Sequence, residues 1–187
     1  MIEIEVKGKK YNVRNLGSEV TLNELSNISY IIEGQEKDHT EKWLEALSIL
    51  GSKELVEVIG VKAFTNAVNA IQITNISNEI SPEIEVNGRL YSCEVTDGEI
   101  ELSALDLSKL EKLALKGGAW GNKAFAVVYK DNELRNIEHY TNAHLDYKAK
   151  IFGENVTADV AAPVIFQLAK IIMEHVQALI DAQSKSV

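Results

Sequence analysis

The chain has a single cysteine, Cys93, among 187 residues, so it cannot form an internal disulfide, and a reducing compartment suits it. Positive charge is scarce: 19 Lys and Arg stand against 28 Asp and Glu, a formal net charge of −9. Non-specific binding to nucleic acid or to an anionic membrane needs a clustered positive field, so both are excluded as expectations. The arginines are Arg14, Arg89 and Arg135, which leaves few bidentate clamps for phosphate or carboxylate. No apolar run is expected to reach the length of a membrane span, and MIEIEVKGKK at the N-terminus lacks a charged-then-apolar signal pattern. Without such a signal, the tripeptides at Asn27, Asn75 and Asn155 that fit the glycosylation pattern carry no meaning.

Catalytic and cofactor motifs are missing as well. The glycines of Lys116-Gly117-Gly118-Ala119-Trp120-Gly121 follow a predicted helix and lack phosphate-loop spacing. His139 and His144 lie five apart, on different faces of a helix, with no third strong ligand at metal-motif spacing. His175 sits at the edge of an apolar helical stripe, where a core or interface role fits. No serine has a nucleophile-elbow context. The expectation is a non-enzymatic protein with no cofactor and no metal.

What the chain does have is a segment written twice. Glu3 to Tyr11 reads EIEVKGKKY and Glu83 to Tyr91 reads EIEVNGRLY, an ungapped match at an offset of eighty. The likeness continues more weakly, with Val20, Leu22 and Leu25 meeting Ile100, Leu102 and Leu105. Asn87-Gly88 is a strong hairpin signal, because a type I′ turn needs φ > 0 at both central residues; Lys7-Gly8 holds the same place. Folding on these turns pairs Ile4 with Tyr11, Val6 with Lys9 and Ile2 with Val13. In the second copy Ile84 meets Tyr91, Val86 meets Arg89 and Pro82 meets Cys93. The apolar side chains then share one face, and a slip of one residue would send them into water. Ile4, Tyr11, Ile84 and Tyr91 are therefore expected to be buried, and Cys93 is read as a small core residue. A lone hairpin is marginal in water, so each copy must pack on downstream helices.

The helices follow from periodicity and caps. Thr21-Leu-Asn-Glu24 has capping-box spacing ahead of a helix to about Glu33. Thr40 is expected to cap a second helix, which Gly51 ends; Ser52 starts a third segment over 53–59, and Gly60 either interrupts it or separates it from 61–73. In the second unit, helices are predicted over 105–115, 140–152 and 158–182, with Gly153 breaking the second of these and Thr157 capping the last. The stretch 119–129 is open between a buried helix end and a strand. Pro163 is harmless in a first turn and disruptive deeper. The fold expectation is α+β: two hairpin-plus-helix units over 1–79 and 80–187, with a helical C-terminal half. In the last helix Val164, Ile165, Leu168, Ile171, Ile172, Val176, Leu179 and Ile180 form one stripe. Its N-terminal part is expected to pack near Tyr129, Tyr140 and Phe152. Its distal part, Val176, Leu179 and Ile180, is the candidate interface for a partner or a second copy.

The order of several short motifs resembles a known family. Ala126-Val127-Val128-Tyr129 leads to Ile137-Glu138-His139-Tyr140, then Lys148-Ala149-Lys150-Ile151-Phe152, Ala158-Asp159-Val160-Ala161 and Val164-Ile165-Phe166-Gln167-Leu168. This order is similar to that in small tail proteins of contractile-tailed, T-even-like phages: baseplate hub assembly proteins and tail assembly chaperones. Residues 120–170 carry the likeness well and 20–50 loosely, through Thr21-Leu22-Asn23-Glu24-Leu25. The chain departs from the family at Tyr129-Lys130-Asp131, where Tyr-Arg-Pro is usual, and at Ile165-Phe166, where paired Phe is usual. The twin hairpins lie outside the family pattern. The resemblance implies a morphogenesis role through contacts with phage tail or baseplate hub proteins, in the host cytoplasm or as a minor component of the virion tail. The alternative is a β-grasp-like adaptor that binds a peptide or subunit in a cellular regulatory complex.

Overall fold

The computed structural model describes residues 1–34, 36–72, 79–116, 120–134 and 141–184. It is an α+β chain with small antiparallel sheets and a helical C-terminal half. Strands β1 (Ile2–Val6) and β2 (Lys9–Val13) form the first hairpin, with Ile4 opposite Tyr11 and Val6 opposite Lys9. Strands β3 (Glu83–Val86) and β4 (Arg89–Ser92) form the second, with Ile84 opposite Tyr91. Both turns are left-handed at both central residues: φ is 52° and 79° at Lys7 and Gly8, and 54° and 76° at Asn87 and Gly88. Beyond β4, the Cys93 N–H donates to the Pro82 carbonyl at 2.8 Å, keeping the expected register.

A third small hairpin follows, β5 (Val95–Thr96) and β6 (Glu99–Ile100), turning on Asp97-Gly98. Strand β7 (Lys130–Asp131) adds to β4, with Tyr91 opposite Asp131. All three sheets are antiparallel, with two or three strands each, and no mixed sheet of β-grasp type occurs among the described residues.

The helices are α1 (Leu22–Glu33), α2 (His39–Leu50), α3 (Lys53–Val58), α4 (Val61–Gln72), α5 (Ala104–Lys116), α6 (Gly121–Val128), α7 (Asn142–Asn155) and α8 (Ala158–Ser184). Thr21 and Glu24 close the expected capping box on α1. On α2 the cap is Asp38 rather than Thr40: its carboxylate accepts from the Glu41 N–H at 2.9 Å and Glu41 answers. Asp38 and Glu41 have the same box spacing, and an aspartate is a strong N-cap. The stretch left open at 119–129 is helical over α6.

Gly153 does not break α7, which runs on to Asn155. Its role is close approach: a Cβ there would lie 2.6 Å from Asn23 Oδ1 and 2.7 Å from Asn122 Nδ2. Gly121 does the same on α6, where a Cβ would meet Ser26 Oγ at 2.7 Å. These glycines let α1, α6 and α7 close around a small polar knot. Ser26 Oγ donates to Asn122 Oδ1 at 2.7 Å, and Asn122 Nδ2 donates to Asn23 Oδ1.

The two hairpin units are not packed as separate bodies. Helix α1 of the first unit packs on α2 but also on α6, α7 and α8 of the second. One buried cluster runs from Val13 and Leu22 through Phe125 and Phe152 to Leu168. The helix starts are tied as well: the Leu22 N–H donates to the Val156 carbonyl, the Ala158 N–H to the Val20 carbonyl, each at 2.7 Å. Arg14 fastens the first hairpin to this frame, bidentate to Glu24 at 2.7 and 3.1 Å and donating to the Ile49 carbonyl at 2.7 Å. Of the four hairpin residues expected to be buried, Ile4, Tyr11 and Tyr91 are, while Ile84 is half-buried. The first hairpin lies against α4, whereas β3 meets chiefly α7.

Candidate interaction surface

Helix α8 leaves the body of the protein gradually. Ala161, Val164 and Leu168 are fully enclosed, and Ile172 is nearly so. Two polar contacts keep this face inward. Gln167 Oε1 accepts from the Ile100 N–H at 3.0 Å, and His175 Nε2 lies 3.2 Å from Glu111 on α5. Pro163 falls in the second turn, where it removes the bond to the Asp159 carbonyl, and it is buried.

The stripe expected as one face is in fact split in two. Val164, Leu168 and Ile172 face the core. A second apolar line, Phe166, Met173, Val176 and Ile180, is 62, 66, 44 and 50% exposed. Val176 and Ile180, two of the expected interface residues, therefore lie on open surface. Leu179 belongs to α8, but its side chain lies outside the described residues. With Ala169 added, the line is spaced three, four, three and four residues apart, the heptad rhythm of a helix–helix seam. That spacing was available in the sequence as a signal for Phe166 and Met173, but the longer core stripe overlaps it.

At its N-terminal end the seam opens into a groove between α1 and α8. Small residues, Ser29, Ala162 and Ala169, lie along it together with Gly121, while Tyr30, Trp120 and Phe166 provide its bulk. Tyr30 is more than half exposed.

Lys170 and Glu174 interrupt the apolar run in sequence. As one helix, however, Ala158–Ala182 is long and apolar enough to cross a membrane by length and composition. Its core face is nevertheless occupied by the protein itself.

Beneath β4 and β7 lies a second cluster of chemically capable groups. Asp131 is buried and paired with Arg89 at 2.9 Å; buried Asp106 lies 3.2 Å from Lys130; and Lys148 is fully enclosed. Burial pushes the Lys148 ammonium down to about 8, opposed by Asp131 and Asp106 and aided by Lys130. Burial likewise pushes the Cys93 thiol up to about 12, which removes the thiolate needed for nucleophilic chemistry near neutral pH. Each ion here is engaged by a neighbour, and the cluster reads as an internal brace.

The expected histidine positions do not come together. His139 and Tyr140 lie outside the described residues. The His144 N–H donates to Thr141 Oγ1 at 3.3 Å at the start of α7, and His175 pairs with Glu111. Among the described residues no group of three or more His, Cys, Asp or Glu is placed to hold a metal. Tyr129 and Phe152 are buried in one aromatic cluster. Phe125 stacks on Tyr129 with centroids 4.4 Å apart, and Phe152 meets Tyr91 edge-on at 4.8 Å. Comparison with protein-family models, with curated proteins and with solved structures gives no match.

Proposed function

We propose that the chain is a non-enzymatic morphogenesis factor of a contractile-tailed phage, a baseplate hub assembly protein or tail assembly chaperone. It works by binding a hub or tail subunit, either in the host cytoplasm during assembly or as a minor component of the tail. The observation that carries this reading is the apolar seam on α8, exposed over Phe166, Met173, Val176 and Ile180. Open apolar lines of this length on a soluble body are characteristic of contact surfaces, and an assembly factor needs one. The resemblance to phage tail proteins adds support, since Tyr129, Phe152, Ala158, Ala161 and Leu168 of its motifs are all buried. Shared core residues fit a shared fold, while the residues of the seam set the partner.

The test is affinity purification of the tagged protein from phage-infected cells. Recovery of hub or tail subunits in defined stoichiometry supports the role. Assembly of normal tails by a phage lacking this chain, with no tail subunit recovered, refutes it.

A further inference from the structure

We infer that the groove between α1 and α8, with the seam that continues it, receives an amphipathic helix of another protein that carries basic residues beside its apolar face. The inference rests on the protein-contact reading above and adds the chemistry of the partner.

The spacing argues for a helix. From Phe166 to Ile180 the apolar residues alternate at three and four, a row about 21 Å long at 1.5 Å per residue. Side chains in that rhythm fit between those of a second helix lying alongside. The groove argues for an anchor. Its small residues, Ser29, Ala162 and Ala169, sit between the bulk of Tyr30, Trp120 and Phe166. A bulky apolar side chain entering there is desolvated on several sides, the setting in which single residues carry most of a binding energy.

Charge decides between a foreign helix and a second copy. Glu33 lines the groove and Asp181 stands beside the distal end of the seam. Lys170, the cation beside its middle, lies 3.9 Å from Glu174, which offsets it. Lys37 and Lys42, beside Tyr30, are balanced by Glu36 and Glu45, so the surroundings carry a small acidic excess, on a chain of net charge −9. A second copy would bring the same acids to the contact. A helix with Lys or Arg on its flanks meets opposite charge at both ends, and steering adds to its association rate.

The test uses the full chain and three labelled synthetic helical peptides of about 20 residues, enough to cover the seam. One has a leucine heptad seam with lysine flanks, one the same seam with glutamate flanks, and one lysine flanks with the leucines scrambled off the seam. Fluorescence anisotropy should show the first binding about tenfold or more tighter than either control, with the advantage over the glutamate peptide shrinking as salt rises. Met173→Asp should weaken the first peptide by about tenfold or more while leaving the circular-dichroism melt in place. If that variant melts early, Ala169→Glu at the groove replaces it.

Equal binding of the scrambled peptide, or no binding by any, overturns the inference. So does a concentration-dependent dimer that Met173→Asp dissolves, which would make a second copy the occupant. Capture only by phosphatidylglycerol vesicles would make it a lipid surface. The two readings fail separately. Tail subunits recovered with Met173→Asp as with wild type overturn this surface and leave the morphogenesis role. Seam-specific peptide binding with no tail subunit recovered does the reverse.

Discussion

Lys148, midway along α7, donates its ammonium proton to the Tyr129 carbonyl at 2.8 Å and has no exposed surface. The bond joins α7 to the chain as it leaves α6 and enters β7. It satisfies a carbonyl at the helix end, at the cost of desolvating a cation.

The pH dependence follows. The Lys148 pKa falls from 10.5 in the unfolded chain to about 8 in the fold. Below pH 8 both states are protonated and the penalty is fully present. Between 8 and 10.5 the unfolded chain holds more protons, so stability rises with pH. Relative to Lys148→Met, the wild type should gain up to about 1.4 kcal/mol per pH unit in that window. Burial raises the pKa values of Cys93 and Tyr129, which gives a loss at high pH, but both proteins share it and it cancels in the difference. Urea midpoints of the two proteins from neutral to alkaline pH measure it; parallel profiles would refute the assignment.

Cys93 should be silent in the native protein. Its thiol is buried and its pKa is raised, so a disulfide reagent should react only as the chain opens. Labelling rates with and without urea read this directly, and fast native labelling contradicts it.

Gly153→Ala should destabilise by about 1–3 kcal/mol, because the new methyl group meets two amide side chains already bonded to each other. Gly17→Ala is the control: a Cβ there has open space, so the midpoint should move by less than about 0.5 kcal/mol. Equal effects at the two positions would remove the close-approach argument.

On α8 the two faces should separate cleanly. Leu168→Ala, at a fully buried position, should cost about 2–5 kcal/mol. Val176→Asp, at a 44% exposed position, should leave the urea midpoint within about 0.5 kcal/mol while reducing partner capture. If Val176→Asp unfolds the protein as badly as Leu168→Ala, the distal line is core.

The hairpins were legible because two local signals agreed: alternation from Ile2 to Val6 with a Lys-Gly turn, and from Glu83 to Val86 with Asn-Gly. The third hairpin carried its Asp97-Gly98 signal too, but strands of two residues have no alternation to read. The caps at Thr21 and Ser52 were legible, and the error at Thr40 came from two polar residues able to cap, Asp38 and Thr40, lying two apart. Lys148 could not be foreseen as buried, since a lysine with Asp146 and Lys150 two residues to either side reads as solvent-facing, and only the distant Tyr129 carbonyl makes the burial tolerable. Gly153 misled for a related reason. Its purpose is set by Asn23 and Asn122, which lie far away in sequence. The division at 79/80 followed the repeat, whereas the packing follows α1, whose buried face fits helices encoded much later.

The paired amides at Leu22 and Ala158 bear on how the chain is made. Each donates to the residue just before the threonine that precedes the other helix, so both helix starts are complete only when both strands of chain are present. A ribosome has finished the first hairpin and α1 long before Thr157 appears. At typical synthesis rates the wait is on the order of ten seconds. Until α6, α7 and α8 emerge, α1 has α2 as its main helical cover. The N-terminal helices therefore wait with part of the apolar face of α1 uncovered, and the two helix starts are sealed only when α8 begins.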